Sequence, residues 1–126
     1  MYHLGLVALG GAIGAGGRHL VNLAALRAFG PAFPVGTLAV NVLGGLLMGL
    51  LAGYFALRYS GDGQNLRLFL ATGILGGFTT FSAFSLDAVL LWERGAIGAA
   101  IFYVLASVVL SILALLLGLA MMRSLA

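Results

Sequence analysis

Four long apolar stretches, nearly free of charged residues, limit most strongly what this chain can fold into. A helix needs about 20 residues at about 1.5 Å rise each to cross a hydrocarbon core of about 30 Å. The stretches run from about Leu4 to Phe29, Val35 to Tyr59, Leu66 to Trp92 and Ala96 to Met122. With 7% charged residues, the chain cannot supply the polar surface of a soluble globule. The sequence therefore predicts an all-α membrane protein with one domain, residues 1–126, of four transmembrane helices.

The third stretch contains an unusually polar motif, "GILGGFTTFSAFSLD", which covers Gly73 to Asp87. Gly76 and Gly77 weaken a helix, and the hydroxyls that follow can satisfy carbonyls freed by an interruption. Irregular backbone at membrane depth survives only where protein buries it or where it lines a cavity. The alternative is an intact helix in which Thr and Ser hydroxyls bond to the preceding turn. The motif alone leaves both readings open.

Polar side chains on two other helices favour the interrupted helix. Thr37 and Asn41 lie four residues apart, and Tyr103, Ser107 and Ser111 repeat the same spacing. Residues at this spacing share one helix face. Hydroxyl and amide donors with almost no carboxylates suggest a path for an anion.

Three phenylalanines in the motif strengthen this interpretation: Phe78, Phe81 and Phe84. The edge of an aromatic ring carries positive potential and its face negative potential. A ring edge can therefore contact an anion. Lipid-facing or packing roles explain any one of these residues, but less well three that alternate with hydroxyls.

Arg18 is the charged residue nearest the middle of the first helix. An arginine at membrane depth faces water or a partner and marks a functional site by default. The alternative is a structural ion pair with Asp87, the only acid well inside a helix. His3 and His19 lack a nearby cluster of carboxylates, so they predict no metal site.

The same residues argue against an enzyme and against a nucleic-acid partner. The two histidines and three acidic residues are widely separated, so no hydrolytic constellation is present. The six basic residues are all arginines and are spread singly rather than clustered.

The arginines also bear on orientation. One membrane face carries Arg58, Arg67 and Arg123, and the other carries Arg27 and Arg94. Because Lys and Arg near the helix ends set orientation, this weak bias predicts insertion in both directions and an antiparallel homodimer. A terminal reporter found on one face only would contradict this hypothesis.

A glycine stripe in the second helix predicts the contact surface of that dimer. Gly45, Gly49 and Gly53 recur every fourth residue, and Gly73 and Gly77 repeat the spacing in the third helix. Small residues four apart allow helix backbones to approach closely in a membrane.

These motifs together resemble the Fluc, or CrcB-type, fluoride channels. The resemblance covers essentially the whole chain and lies in "GGAIGAGGR", "TLAVNVLGGLLMG" and "GGFTTFSAFS". It implies a dual-topology antiparallel homodimer in the bacterial inner membrane. Two passive pores, selective for fluoride over chloride, would lie at its subunit interface.

The resemblance also implies roles for individual residues. Phe81 and Phe84 would line the pore, Asn41 would donate to the ion, and Arg18 would lie near the aqueous vestibule. The polar track would comprise Thr37, Ser82, Ser85, Tyr103, Ser107 and Ser111. A structural sodium ion would bind the backbone carbonyls of Gly76 and Thr79 from each subunit.

The sequence departs from the family pattern at a few positions. Ala83 replaces a usual threonine, Asp87 a usual glutamate, and His19 a common aromatic residue; "GGLLMG" lacks the usual Ser-Phe pair. None of these departures removes a proposed pore ligand. The Asp87 carboxylate lies about one methylene short of the glutamate position.

Two other classes of protein remain alternatives. A small multidrug exporter is similar in size but requires a carboxylate in its first helix, where this chain has Arg18. A structural membrane subunit would use its polar stripes to bind a partner helix and would conduct no ions.

Overall fold

The computed structural model describes residues 1–58 and 63–125 and is helical almost throughout. Helix α1 spans Tyr2–Phe29 and α2 spans Val35–Arg58. Helix α3 covers residues 64–78, with a first turn Gln64–Arg67, a π-helical segment Leu68–Leu75 and a last turn Gly76–Phe78. Helices α4 and α5 span Phe81–Glu93 and Ile97–Ser124. Two residues with extended backbone, Thr79 and Thr80, separate α3 from α4.

The prediction of an all-α protein with four membrane-spanning segments is confirmed. Four helical segments in the described part of the chain are long and apolar enough to cross a membrane, the third formed by α3 and α4 together. Their bounds agree with the predicted ones to within about two residues. The predicted end of the second helix near Tyr59 and the turn after it lie outside the described residues.

Two glycines form the turns on one side of the helices. Gly30 ends α1 with φ of 76°, and its N–H donates to the Leu26 carbonyl at 2.9 Å. Gly95 lies between α4 and α5 with φ of 87°. These left-handed conformations favour glycine because they strain residues with a Cβ atom. Arg94 joins the two connections by donating from its guanidinium group to the Ala32 carbonyl.

Helices α1 and α3 make direct backbone contact through small residues. A Cβ atom at Gly10 or Gly14 would overlap the backbone of α3 at Phe69 or Ile74, and one at Gly77 would overlap Gly11. Glycine is therefore required on both sides of this contact. It places the end of α3 against α1.

The glycine stripe of α2 packs within the chain, so the prediction that it forms the dimer contact is wrong. Side chains at Gly45 and Gly49 would overlap the α5 carbonyls of Ser111 and Leu115. A Cβ atom at Gly53 would overlap the side chain of Met122, also in α5. The spacing of small residues indicates close helix contact but does not specify which helix is the partner. Gly73 and Gly77, predicted to extend that surface, pack on α1 instead.

We expect Gly49→Ala to destabilise the protein. The added Cβ would overlap a backbone carbonyl of Leu115, which cannot rotate away as a side chain can. Overpacking typically costs about 1–3 kcal/mol, so the midpoint of thermal unfolding in detergent should fall. Gly98→Ala is the matched control, because a Cβ there would meet nothing within 4 Å. Equal midpoints for the two variants would contradict the close contact of α2 with α5.

Candidate functional site

The candidate site forms where the third membrane segment departs from helical geometry. Thr79 has φ and ψ of −88° and 159°, and Thr80 has −154° and 122°. Asn41 of α2 binds the backbone at this point. Its Nδ2 donates to the Thr80 carbonyl at 3.1 Å, and its Oδ1 accepts from the Thr80 N–H at 2.8 Å. One amide side chain therefore satisfies both backbone groups of Thr80.

Asn41 retains hydrogen-bonding capacity beyond this pair. A primary amide has two N–H donors and a carbonyl oxygen with two lone pairs. The contact with Thr80 uses one donor and one lone pair. The second N–H is available to a ligand, so the same residue can hold the extended backbone and contact an ion.

The hydroxyl groups around the extended residues have different roles. Thr80 Oγ1 caps α4 by accepting from the Ala83 N–H at 3.1 Å. Thr79 Oγ1 donates to the Leu75 carbonyl at 3.0 Å, and Ser85 Oγ donates to the Phe81 carbonyl at 2.9 Å. The predicted alternative of back-bonding hydroxyls thus holds for Thr79 and Ser85. Ser82 Oγ lies 3.3 Å from Thr80 Oγ1 and is exposed.

These contacts divert two N–H groups from their partners in a continuous helix. The Thr80 N–H donates to Asn41 and not to the Gly76 carbonyl four residues earlier. The Ala83 N–H likewise donates to the Thr80 hydroxyl and not to the Thr79 carbonyl. The carbonyls of Gly76 and Thr79 therefore lose their usual helical donors.

A central cavity of about 410 Å³ opens beside the extended residues, between α2, α4 and α5. Its lining includes five of the predicted pore residues: Asn41, Phe81, Phe84, Ser107 and Ser111. Thr79, which was predicted to bind sodium, and Thr80 line it as well. Three helices distant in sequence thus contribute to one partly polar cavity.

Two serines of α5 are unusual among the residues that line the central cavity. The hydroxyls of Ser107 and Ser111 are buried and have no hydrogen-bond partner within the described residues. Ser107 is only 4% exposed. A buried hydroxyl without a partner costs about 1–3 kcal/mol, and native proteins rarely leave one. Both serines line the central cavity, so a polar ligand there is a candidate partner for their hydroxyls.

The predicted pore phenylalanines differ in their surroundings. Phe84 is 8% exposed, and its ring centroid lies 5.2 Å from that of Tyr103 and 5.6 Å from that of Phe81. Phe81 is 79% exposed. Phe78 packs between α1 and α2, near Gly17 and Gly44. The Phe81 ring thus lies at the open edge of the central cavity, whereas the Phe84 ring is buried beside it.

Tyr103 separates the central cavity from a second cavity near the first connection. Its side chain is fully buried, and its hydroxyl donates to Asp87 Oδ2 at 3.1 Å. Asp87 and Thr37 line this second cavity of about 320 Å³, which we call the loop cavity. The predicted track from Thr37 to Ser111 thus runs past two cavities, with Tyr103 between them.

Arg18 does not form the predicted alternative ion pair with Asp87. Its Nε donates to the Gly77 carbonyl at 3.2 Å, whereas Asp87 accepts from Tyr103. Arg18 therefore binds the last turn of α3, close to the extended residues. Its predicted vestibule role stays a prediction.

Some features of the site were not predicted from the sequence. Sequence reasoning missed Thr80 as the partner of Asn41, because the two residues are separated by 39 positions. Gly44 was also missed as a residue of the site. A Cβ atom there would overlap the Thr79 side chain, so only glycine fits at this position. A signal for Gly44 was present in the stretch "NVLGG", three residues after Asn41. Ser82 and Ser85, by contrast, were predicted in the polar track but are not among the described residues that line the central cavity.

Comparison with known proteins identifies the family. Residues 5–119 match the family model described as "CrcB-like protein, Camphor Resistance (CrcB)". A protein from Chelativorans sp., named "Fluoride-specific ion channel FluC", is 64% identical over 98% of both chains. Proteins of the same name from Rhodopseudomonas palustris and Mesorhizobium japonicum are 59% and 57% identical. They cover 94% and 99% of this chain, and 95% and 99% of the relatives' own lengths. The chain therefore belongs to the CrcB family of multi-pass membrane proteins.

Proposed function

We propose that this protein is a fluoride-selective channel that exports fluoride passively across the bacterial inner membrane. The observation that carries the proposal is the pair of buried, unpartnered hydroxyls of Ser107 and Ser111 beside Asn41 and Phe84. These groups offer donors and ring edges to a small anion. The name "Fluoride-specific ion channel FluC", carried by relatives up to 64% identical, supports fluoride as that anion.

The mechanism is physical and makes or breaks no covalent bond. Fluoride is small and strongly hydrated, so a narrow path has to replace its water with protein donors. Asn41, Ser107 and Ser111 supply N–H and O–H groups, and the edges of Phe81 and Phe84 supply positive potential. A narrow path excludes larger halides. Fluoride that enters as uncharged HF and ionises in the neutral cytoplasm then leaves down its gradient.

The interruption at Thr79 and Thr80 is the element that builds this path. Extended backbone turns the Phe81 and Phe84 rings toward the central cavity while Asn41 satisfies the exposed backbone groups. A continuous helix would direct both Thr80 groups into its own hydrogen bonds. We therefore propose that the helix is broken for function and not by chance.

An antiparallel homodimer completes the proposed channel. The central cavity is bounded on one side by Phe81, which is 79% exposed in the single chain. Asn41, Ser107 and Ser111 line the same cavity, and polar groups that face lipid are costly, so a second copy would cover this face. The nearly even distribution of arginines between the two membrane faces supports the opposite orientation of that copy.

The carbonyls of Gly76 and Thr79 fit the sodium site that the family resemblance implies. Their usual helical donors are diverted to Asn41 and Thr80. Hard cations prefer oxygen ligands, and these two carbonyls would provide two from each subunit. A bound sodium ion would supply positive charge that holds the two interrupted helices together.

One rival function is disfavoured by a specific residue, and the other differs in the result that it predicts. A small multidrug exporter needs a carboxylate in its first helix, and α1 has Arg18 hydrogen-bonded to Gly77 instead. A structural subunit would use Ser107 and Ser111 to bind a partner helix, and it would release no fluoride on its own.

Replacement of Ser107 by alanine separates a pore role from a structural role. Because the Ser107 hydroxyl has no partner in the described structure, its removal should leave thermal stability unchanged or slightly higher. Fluoride efflux should fall roughly tenfold or more, since the loss of a hydrogen bond to a charged group costs roughly 1.5–3 kcal/mol.

Ser124→Ala is the matched control on the same helix. Ser124 is exposed, and its hydroxyl donates to the Met121 carbonyl. Its replacement should change neither stability nor efflux. Wild-type efflux from Ser107→Ala would show that Ser107 does not line the ion path. A large loss of stability would show that its hydroxyl holds helices together.

The function itself is tested with purified protein in liposomes loaded with potassium fluoride or potassium chloride. A fluoride or chloride electrode follows release after valinomycin opens a path for potassium. We expect rapid release of fluoride and negligible release of chloride. A folded dimer that releases neither ion would contradict the proposal and favour the structural subunit.

A further inference from the structure

The loop cavity contains a polar residue that the proposed path does not yet use. Asn22 of α1 lines this cavity together with Thr37, Asp87 and the turn at Gly30 and Pro31. It lies four residues after Arg18, on the same face of α1. The cavity volume of about 320 Å³ is ample for a small hydrated ion.

Close packing fixes the position of Asn22. A Cβ atom at Gly36 would lie 2.9 Å from the Asn22 Cα atom and would overlap the side-chain oxygen. Only glycine at position 36 therefore lets α1 approach the start of α2 so closely. This contact holds the Asn22 amide at the wall of the loop cavity.

The Asn22 amide is available to a ligand. Its NH₂ group offers two donors, and no described residue, within 1–58 and 63–125, forms a hydrogen bond with the Asn22 side chain. Asp87, the acid in the same cavity, already accepts from the Tyr103 hydroxyl at 3.1 Å. The Asp87 carboxylate repels an anion, whereas the N–H groups of Asn22 attract one, so Asn22 supplies the donors that an anion would need here.

A chain of contacts links the loop cavity to the central cavity. Asp87 lines the loop cavity and binds Tyr103, and the Tyr103 ring packs against Phe84, which lines the central cavity. The fully buried Tyr103 and its contacts with Phe84 and Asp87 thus connect the walls of the two cavities.

We propose that the loop cavity is one mouth of the ion path and that Asn22 donates hydrogen bonds to fluoride there. This inference rests on the proposed fluoride channel. At a mouth, donors bind the ion while it exchanges the last of its water, so they govern how readily the path fills. They have less influence on passage through the narrow part beyond.

The test measures the initial rate of efflux against internal potassium fluoride concentration, for liposomes that carry the full-length protein. Asn22→Leu removes the donors at similar volume. We expect its half-saturating fluoride concentration to rise roughly tenfold, as expected for a lost hydrogen bond to a charged group. Its maximal rate should stay within about twofold of wild type. Asn22→Ser, which restores one hydroxyl donor, should recover part of the shift.

Asn65→Leu is the matched control, because Asn65 is exposed in α3 and lines neither cavity. It should leave both kinetic constants unchanged. An unchanged half-saturating concentration in Asn22→Leu would overturn the inference. A lower maximal rate alone would overturn it too and would assign Asn22 to packing. If wild-type protein releases no fluoride, the proposed function fails; if wild type conducts and Asn22→Leu matches it, only this inference fails.

Discussion

Asn41→Asp is expected to reduce fluoride efflux about a hundredfold. The aspartate can still accept from the Thr80 N–H, but it loses the donor to the Thr80 carbonyl and places two acceptors together. It also introduces a negative charge at membrane depth, where an acid costs about 3 kcal/mol. Such a charge would repel fluoride from the central cavity. Liposome efflux measured beside size-exclusion chromatography checks the result.

Asn65→Asp makes the same chemical change at an exposed position of α3, outside the central cavity. It should conduct as wild type does. Normal efflux from Asn41→Asp would show that Asn41 neither contacts the ion nor holds the extended backbone in a conducting form. If Asn41→Asp loses efflux and also aggregates, misfolding and charge repulsion have to be separated. Asn41→Ser does this, because it is neutral and should conduct better than the aspartate variant.

Phe84→Ile is expected to lower fluoride efflux at least about tenfold. Isoleucine fills part of the buried space against Tyr103 but has no ring edge with positive potential. The substitution also removes volume from a packed position, so a stability loss of about 1–3 kcal/mol is expected. Efflux and the midpoint of thermal unfolding should be measured on the same preparation.

Phe81→Ile separates the two effects in Phe84→Ile. Phe81 is 79% exposed in the single chain, so its replacement should lower efflux with little change in the stability of the subunit. Phe29→Ile, at the exposed end of α1 and away from the central cavity, is the control and should conduct normally. Wild-type efflux from both Phe81→Ile and Phe84→Ile would eliminate the ring edges as contributors.

The four helices were predictable because hydrophobic length is a local property of the sequence. Turn residues such as Gly30 and Gly95 marked the ends of the helices to within about two residues. The sequence spacing also predicted which residues lie on the same face of a helix. Ser107 and Ser111, one turn apart, do line the same cavity as Asn41.

The partners of those faces were not predictable from one sequence. The stripe of Gly45, Gly49 and Gly53 indicated that α2 makes a close helix contact. Packing on α5 of the same chain and packing on a second subunit both require small residues at these positions, so the pattern could not tell them apart. The partner of Asn41 was equally hidden, because any polar backbone at the same depth could bind its amide. Asn22 carried no signal, since its importance depends on the approach of Gly36 across the first connection.

The most direct test of a fluoride-selective path is the current through purified protein in a planar bilayer, with unequal fluoride concentrations on the two sides and chloride making up the difference. A passive fluoride-selective path predicts a current whose reversal potential follows the fluoride gradient and ignores changes in chloride or pH. A current that follows chloride or pH, or no current from protein shown to be folded, would contradict the account.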